Sequence, residues 1–178
     1  TALYFGLLCL VVGGRRLLID ERVIYMFDWF SWATLQRLEH LFFYLTLPLF
    51  MGFFAALYKN HIPSWTARVS WMLIVPFVLL CLSFPNRIYT ELNIAFQLLV
   101  MSSVTYAIVM YLKVVRVKGV QVKAFGASLF ILALAVAHDV LKTNGLVYTP
   151  VNLAHYGVLA FVISQSIALQ RNYLKNIN

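Results

Sequence analysis

Residues 32–58 read WATLQRLEHLFFYLTLPLFMGFFAALY, a mostly apolar run whose ionisable residues are confined to positions 37–40. A helix needs roughly 20 apolar residues to cross the hydrocarbon core of a bilayer, and this run is longer than that. Further apolar stretches follow the same pattern and are separated by short polar connectors. The sequence therefore predicts an all-α, polytopic transmembrane bundle of six helices in a single domain. Their approximate ranges are 2–19, 32–58, 66–84, 91–115, 123–143 and 150–174.

Composition excludes an ordinary soluble domain. Hydrophobic residues make up 62% of the 178-residue chain and charged residues 11%, against about 45–50% and about 25% in soluble domains. Cys9 and Cys81 both fall within apolar runs, which predicts packing rather than a disulfide. The basic residues lie in short connectors beside the apolar runs, where anionic lipid headgroups retain them, and no nucleic-acid motif is present.

The charges sort by side when the six helices are threaded through a bilayer. All six acidic residues, together with six basic ones, fall at one face. The remaining eight basic residues carry the net charge of +8 at the other face. Connectors rich in Lys and Arg stay in the cytoplasm. The sequence thus predicts a membrane protein whose C-terminus is cytoplasmic.

Two segments depart from the simple spanning pattern. The first apolar run reaches the break at residues 13–16 after only eleven residues, so we expect the chain to be a fragment of a longer protein. Residues 23–30 are aromatic and too short to span, which predicts a segment lying in the membrane interface.

Polar residues concentrate in the outer half of the predicted bundle. Ionisable groups inside a membrane are costly and are functional candidates by default. The predicted ligand or coupling cluster consists of Arg37, Glu39, His40, His138, Asp139 and His155. The predicted interhelical hydrogen-bonding residues are Asn93, Gln97 and Gln165.

The same residues allow other interpretations. As structural links, Arg37 would pair with Glu39 across helices and Asp139 with Lys142 at i+3. As zinc ligands, the His and carboxylate groups would serve an intramembrane metal hydrolase. Against that, no HExxH pattern occurs, and adjacent His138 and Asp139 project about 100° apart on a helix. A small transporter is the third alternative, although no inverted repeat is visible. The principal prediction has no catalytic residue, metal or cofactor in this segment.

The end of the last helix changes character. Ile167, Gln170, Leu174 and Ile177 follow the 3-4-3 spacing of a coiled-coil seam, which predicts a homodimer contact. A fraying helical tail is the alternative, because three apolar positions do not establish a heptad repeat.

Three motifs resemble one bacterial family. They are RLEHLFFYL at 37–45 with Pro48, AHDVL at 137–141, and Gln165 with Arg171 in the last helix. The chain resembles the seven-transmembrane receptors with diverse intracellular signalling modules, and the similarity covers their second to seventh helices.

The resemblance implies more than the spacing arguments do. Members of the family carry an extracytoplasmic sensory domain before the first helix. After the seventh helix comes an output module such as a diguanylate cyclase, a histidine kinase or an adenylyl cyclase. The partners expected from this resemblance are both domains of the same polypeptide. The expected function is therefore the membrane core of a sensory receptor.

Overall fold

The structure, a computed structural model, describes residues 1–19, 31–59, 61–118 and 123–177. These residues form α-helices without any strand, which confirms the predicted all-α class. The described helices are α1 (Ala2–Ile19), α2 (Trp32–Leu57), α3 (Trp65–Ser83), α4 (Asn86–Glu91), α5 (Asn93–Lys118), α6 (Lys123–Thr143) and α7 (Ala154–Ile177). The predicted interfacial segment 23–30 lies outside the described residues.

The observed bounds differ from the predicted ones mainly around two connectors. Helices α1 and α6 have the bounds that the sequence predicted. The short helix α4 was not predicted, since the predicted ranges leave residues 85–90 as a connector. Helix α7 begins at Ala154 rather than near Pro150. The reason is that the first N–H groups of α7 find their acceptor on α6, as described below.

Membrane-spanning character is clearest in four of the described helices. Their length and apolar composition suffice to cross a bilayer over Trp32–Leu57, Trp65–Ser83, Asn93–Arg116 and Gly126–Thr143. Helix α7 contains a shorter apolar stretch, Tyr156–Ile167. The segment is therefore an α-helical membrane domain.

The described helices divide into two compact units, Thr1–Ser103 and Val104–Asn178. In the first unit, α2 packs against both α1 and α3. Its residues from Leu47 to Ala55 are all buried, including Pro48, so α2 is the central helix of this unit. The α1 contact is close because Gly52 has no side chain to displace the Tyr4 ring lying over it. At the other end, the Ser31 side chain caps α2 by accepting a hydrogen bond from the Thr34 backbone N–H at 3.3 Å.

The second unit is built on a close pair, α6 and α7. Gly157 of α7 lies against α6, where an added Cβ would stand 2.7 Å from the Cβ of Ala135. Small residues at such a contact let two backbones approach closely, as is common between membrane helices.

Helix α6 ends at Thr143, the last residue of the predicted range, and the Asn144–Gly145 pair follows it. The Gly145 N–H donates to the Lys142 carbonyl at 3.0 Å, and the Leu146 N–H donates to the Leu141 carbonyl at 2.9 Å. Gly145 has φ 74°, a conformation that glycine adopts at little cost. These two bonds are the Schellman arrangement that reverses the chain after a helix. The reversal returns the connector, residues 144–153, toward the end of α6.

Candidate functional site

The predicted outer cluster divides between the two units. Arg37, Glu39 and His40 belong to the first unit, whereas His138 and Asp139 belong to the second. His155 lies in α7, but its side chain is outside the described residues. Each group is described within its own unit.

In the second unit, the Asp139 carboxylate caps a helix to which it does not belong. Its Oδ1 accepts a hydrogen bond from the Leu153 N–H at 2.8 Å, and its Oδ2 accepts one from the Ala154 N–H at 2.9 Å. The first N–H groups of a helix have no partner within that helix, and a negative charge there also opposes the positive end of the helix dipole. Asp139 of α6 therefore stabilises the start of α7.

His138 extends the same network to the connector. Its Nδ1 lies 3.0 Å from Asp139 Oδ1, and its Nε2 lies 3.1 Å from Thr149 Oγ1. Because a carboxylate only accepts, Nδ1 donates to Asp139, and in the neutral ring Nε2 accepts from the Thr149 hydroxyl. The imidazole thus links the capping carboxylate to the middle of the connector.

Lys142 holds the other side of the connector. Its Nζ donates to Asn152 Oδ1 at 2.8 Å, whereas the structural-link alternative paired Lys142 with Asp139. The carboxylate instead accepts its hydrogen bonds from His138 and from the backbone of α7. We call His138, Asp139, Lys142, Thr149 and Asn152, together with the Leu153 and Ala154 N–H groups, the α7 clamp.

Deeper in this unit, a polar pair joins α6 to α7. The Gln165 Nε2 donates to the Ser128 hydroxyl at 3.2 Å. Gln165 is 1% exposed and Ser128 is 4% exposed. This hydrogen bond joins two buried side chains across the contact between α6 and α7, and so restricts the register of the two helices.

A double-mutant cycle should measure that bond. Hydrogen bonds between membrane helices average about 0.6 kcal/mol and reach about 1.7 kcal/mol. We expect a coupling free energy of about 1 kcal/mol between Gln165→Leu and Ser128→Ala, from unfolding in mixed detergent micelles. A coupling indistinguishable from zero would mean that the two side chains do not stabilise each other.

In the first unit, His40 lies between two tyrosines. Its Nδ1 is 2.9 Å from the Gln36 carbonyl and donates to it. The His40 ring is 4.9 Å from the ring of Tyr89 on α4 and 6.2 Å from the ring of Tyr44 on its own helix. The imidazole therefore connects the N-terminal half of α2 to the short helix that the sequence did not predict.

Arg37 and Glu39 both act on Tyr89. Burial raises the pKa of the Tyr89 phenol, and the neighbouring Arg37 guanidinium counters part of that increase. Glu39 acts on the same phenol in the opposite direction to Arg37. Within the described residues no ion pair joins Arg37 to Glu39, because residues two apart on one helix do not face each other. The structural-link alternative therefore lacks this pair among the described residues.

Comparison with known proteins identifies the family. The family model described as 7TM diverse intracellular signalling matches residues 1–172 of this chain. The chain belongs to this family. No curated protein and no solved structure matches it.

Membership defines the class of molecule to which both local sites belong. A domain of the 7TM diverse intracellular signalling family is a transmembrane sensory receptor module, and the long apolar helices place it in a membrane. The α7 clamp and the residues around His40 are therefore polar sites within a receptor domain.

The alternative function, a metal hydrolase, requires a set of metal ligands. The described residues contain no such set. Nowhere in ranges 1–19, 31–59, 61–118 and 123–177 do three His, Cys, Asp or Glu side chains converge to hold a metal ion. In the α7 clamp, both Asp139 oxygens already accept hydrogen bonds from the backbone. The arrangement at Asp139 is that of a helix cap.

Proposed function

We propose that this chain is the membrane core of a bacterial sensory receptor that passes an extracytoplasmic signal to a cytoplasmic output module of the same polypeptide. The observation that carries the proposal is the capping of α7 by Asp139 of α6. A helix whose first turn depends on a side chain of its neighbour changes position when that neighbour or the connector changes.

The charge distribution supports the orientation. The connector and the α7 clamp fall on the face that holds all six acids, and the end of α7 falls on the face whose only charges are basic. Under the positive-inside rule, the clamp faces outward and α7 runs toward the cytoplasm of a bacterial inner membrane. A signal that reaches the connector is thus applied at the outer end of the helix that leads inward.

The mechanism is a shift between two packings of α7 on α6. Ligand or sensory-domain binding that favours one arrangement of the connector breaks or strengthens the hydrogen bonds of Asp139 and His138. The equilibrium between the two packings can shift only by the difference between the free energies with which the ligand or sensory domain binds each of them. Because α7 is a continuous helix from Ala154 to Ile177, a displacement at its start is carried to its end.

Substitution of Asp139 in the intact gene product tests this proposal. Asp139→Ala removes both acceptors, and Asp139→Asn removes the charge while keeping one oxygen. We expect Asp139→Ala to change the basal activity of the cytoplasmic module at least about fivefold, and Asp139→Asn to change it less. Spin labels at exposed Leu134 of α6 and Leu159 of α7 would report the accompanying change in distance.

Glu91→Gln is the matched control. It also removes one acidic charge from the acidic face, but Glu91 is exposed, and its ion pair is with exposed Arg87 on the same short helix, at 3.2 Å. Such exposed pairs contribute roughly 0–1 kcal/mol, so output should not change. The proposal fails if the spin labels move in Asp139→Ala while output stays constant, or if the gene encodes no cytoplasmic module.

A further inference from the structure

The connector between α6 and α7, residues 144–153, turns its polar side chains inward. Thr149 Oγ1 lies 3.1 Å from His138 Nε2, and Asn152 Oδ1 accepts from Lys142 Nζ at 2.8 Å. In a loop that faces water, the polar side chains are the ones that lie mostly at the surface. Here they belong to the α7 clamp instead.

The apolar side chains of the same connector are exposed. The exposed fraction is 71% for Leu146, 92% for Tyr148, 43% for Val151 and 39% for Leu153. Exposed apolar surface concentrated in one short segment marks a contact with another protein or with a membrane. The connector therefore has a partner on its outer side, and the choice is between protein and lipid.

The absence of charge favours lipid. No Asp, Glu, Lys or Arg lies between Lys142 and Arg171. The connection from α3 to α5, in contrast, carries the exposed ion pair of Arg87 and Glu91. Contacts between proteins have a polar, solvent-accessible rim, whereas tyrosine is enriched where a membrane protein meets the boundary between lipid and water.

The length of α7 also places the connector at the level of the lipids. From Ala154 to Arg171, its first Lys or Arg, α7 rises about 26 Å at 1.5 Å per residue. The hydrocarbon core of a bilayer is about 30 Å thick. With the basic end of α7 at one membrane face, as proposed above, the start of α7 does not reach the water at the other face.

The connector continues the apolar surface of the two helices that it joins. Leu141 in the last turn of α6 and Tyr156 in the first turn of α7 are 42% and 59% exposed, and α6 is long and apolar enough to cross a membrane. The Leu146 and Leu153 N–H groups donate within the protein at 2.9 and 2.8 Å. Since lipid offers backbone groups no partner, these internal bonds suit a segment that lies among lipids.

We infer that the connector is a lipid-binding surface, whose exposed side chains insert between the headgroups and the acyl chains of the adjacent leaflet. These side chains, Leu146, Tyr148, Val151 and Leu153, form the connector patch. The same ten residues thus contact lipid on one side and the α7 clamp on the other. A change in lipid packing acts directly on the hydrogen bonds of Thr149 and Asn152. The inference rests on the orientation of α7 proposed above and adds the lipid layer as a partner.

Spin-label depth measurements test the connector patch. Labels are attached to Leu146→Cys and Tyr148→Cys in the intact gene product, reconstituted in vesicles of phosphatidylethanolamine and phosphatidylglycerol. The background carries Cys9→Ala and Cys81→Ser, which remove the native cysteines. Relaxation by oxygen, which concentrates in lipid, is compared with relaxation by a nickel chelate, which stays in water. We expect oxygen to relax both labels more strongly than the chelate does.

Two reference positions calibrate the comparison. Arg87→Cys reports water, because the Arg87 side chain is 89% exposed and charged. Leu134→Cys reports lipid, because Leu134 is 57% exposed within the membrane-spanning part of α6. The ratio of oxygen to nickel relaxation at the connector patch should be several-fold higher than at Arg87 and closer to that at Leu134.

Two results would overturn the inference. Stronger relaxation by the chelate at either position would place the connector patch in water. Weak relaxation by both reagents would show that a protein surface covers it. Neither readout depends on the output module, so lipid binding can fail while coupling through α7 holds. Constant output in Asp139→Ala would reject the coupling and leave the label depths as evidence for lipid binding.

Discussion

Replacing Phe96 with Ala should lower the free energy of unfolding of the first unit by about 3 kcal/mol. Phe96 is 0% exposed. Its ring centroid lies 4.8 Å from Phe43, 4.7 Å from Tyr44 and 5.3 Å from Phe77. One side chain of α5 therefore packs against rings from both α2 and α3. In a membrane, helix association depends on such packing rather than on exclusion from water, so the cavity is costly.

Unfolding in mixed detergent micelles measures this loss. Leu98→Ala is the matched control on the same helix, because Leu98 is 64% exposed and loses only contact with lipid. We expect the control to change the free energy of unfolding by less than about 0.5 kcal/mol. Equal losses in the two variants would mean that the aromatic contacts of Phe96 do not hold the unit together.

Replacing Gly157 with Leu should separate α7 from α6. An added Cβ would stand 2.7 Å from the Cβ of Ala135 and 3.2 Å from the Cα of Leu132. The second of these atoms is backbone, so no side-chain rotation can make room for it. Overpacking of this kind costs about 1–3 kcal/mol, and here the larger value is expected because the helices must move apart. The separation would also lengthen the hydrogen bonds of Asp139 to the start of α7.

Gly6→Leu is the control for this substitution. Gly6 is also within a helix, and an added Cβ there meets nothing within 4 Å. Because Leu has a higher helix propensity than Gly by roughly 0.5–1 kcal/mol, this variant should be neutral or slightly stabilising. Disulfide cross-linking between cysteines at exposed positions of α6 and α7 would report the separation. Unchanged cross-linking in Gly157→Leu would contradict the close packing of the pair.

The helices could be predicted from sequence because the bilayer imposes a single length and a single polarity on them. The termini were harder, since each depends on local chemistry. Asn144 and Gly145 indicate the end of α6, because a C-terminal cap is formed by residues adjacent in sequence and can be recognised there. The start of α7 could not be read in this way. Pro150 is a suitable first-turn residue, but the decisive acceptor is Asp139, eleven residues earlier.

The candidate sites show the same contrast: residue types can be read from the sequence, whereas contacts between residues far apart in sequence cannot. His138 and Asp139 were selected because charge is costly in a membrane, yet their partners became visible only when the connector folded back. Tyr44 and Tyr89 gave no signal, because tyrosine is common both in apolar helices and at membrane interfaces. Their importance depends on the approach of α4 to α2, and α4 itself was not predicted. The sequence identified which positions were unusually polar, but not which atoms would form hydrogen bonds with them.

The capping of one helix by its neighbour has a consequence for how the protein is made. An N-terminal cap within the same segment is available as soon as that segment leaves the ribosome. Here the acceptor for the Leu153 and Ala154 N–H groups is supplied by α6, which is synthesised first. Because unsatisfied backbone groups are expensive in lipid, α7 would enter the bilayer at a cost without α6 beside it. The two helices are therefore expected to leave the translocation channel together, as one hairpin.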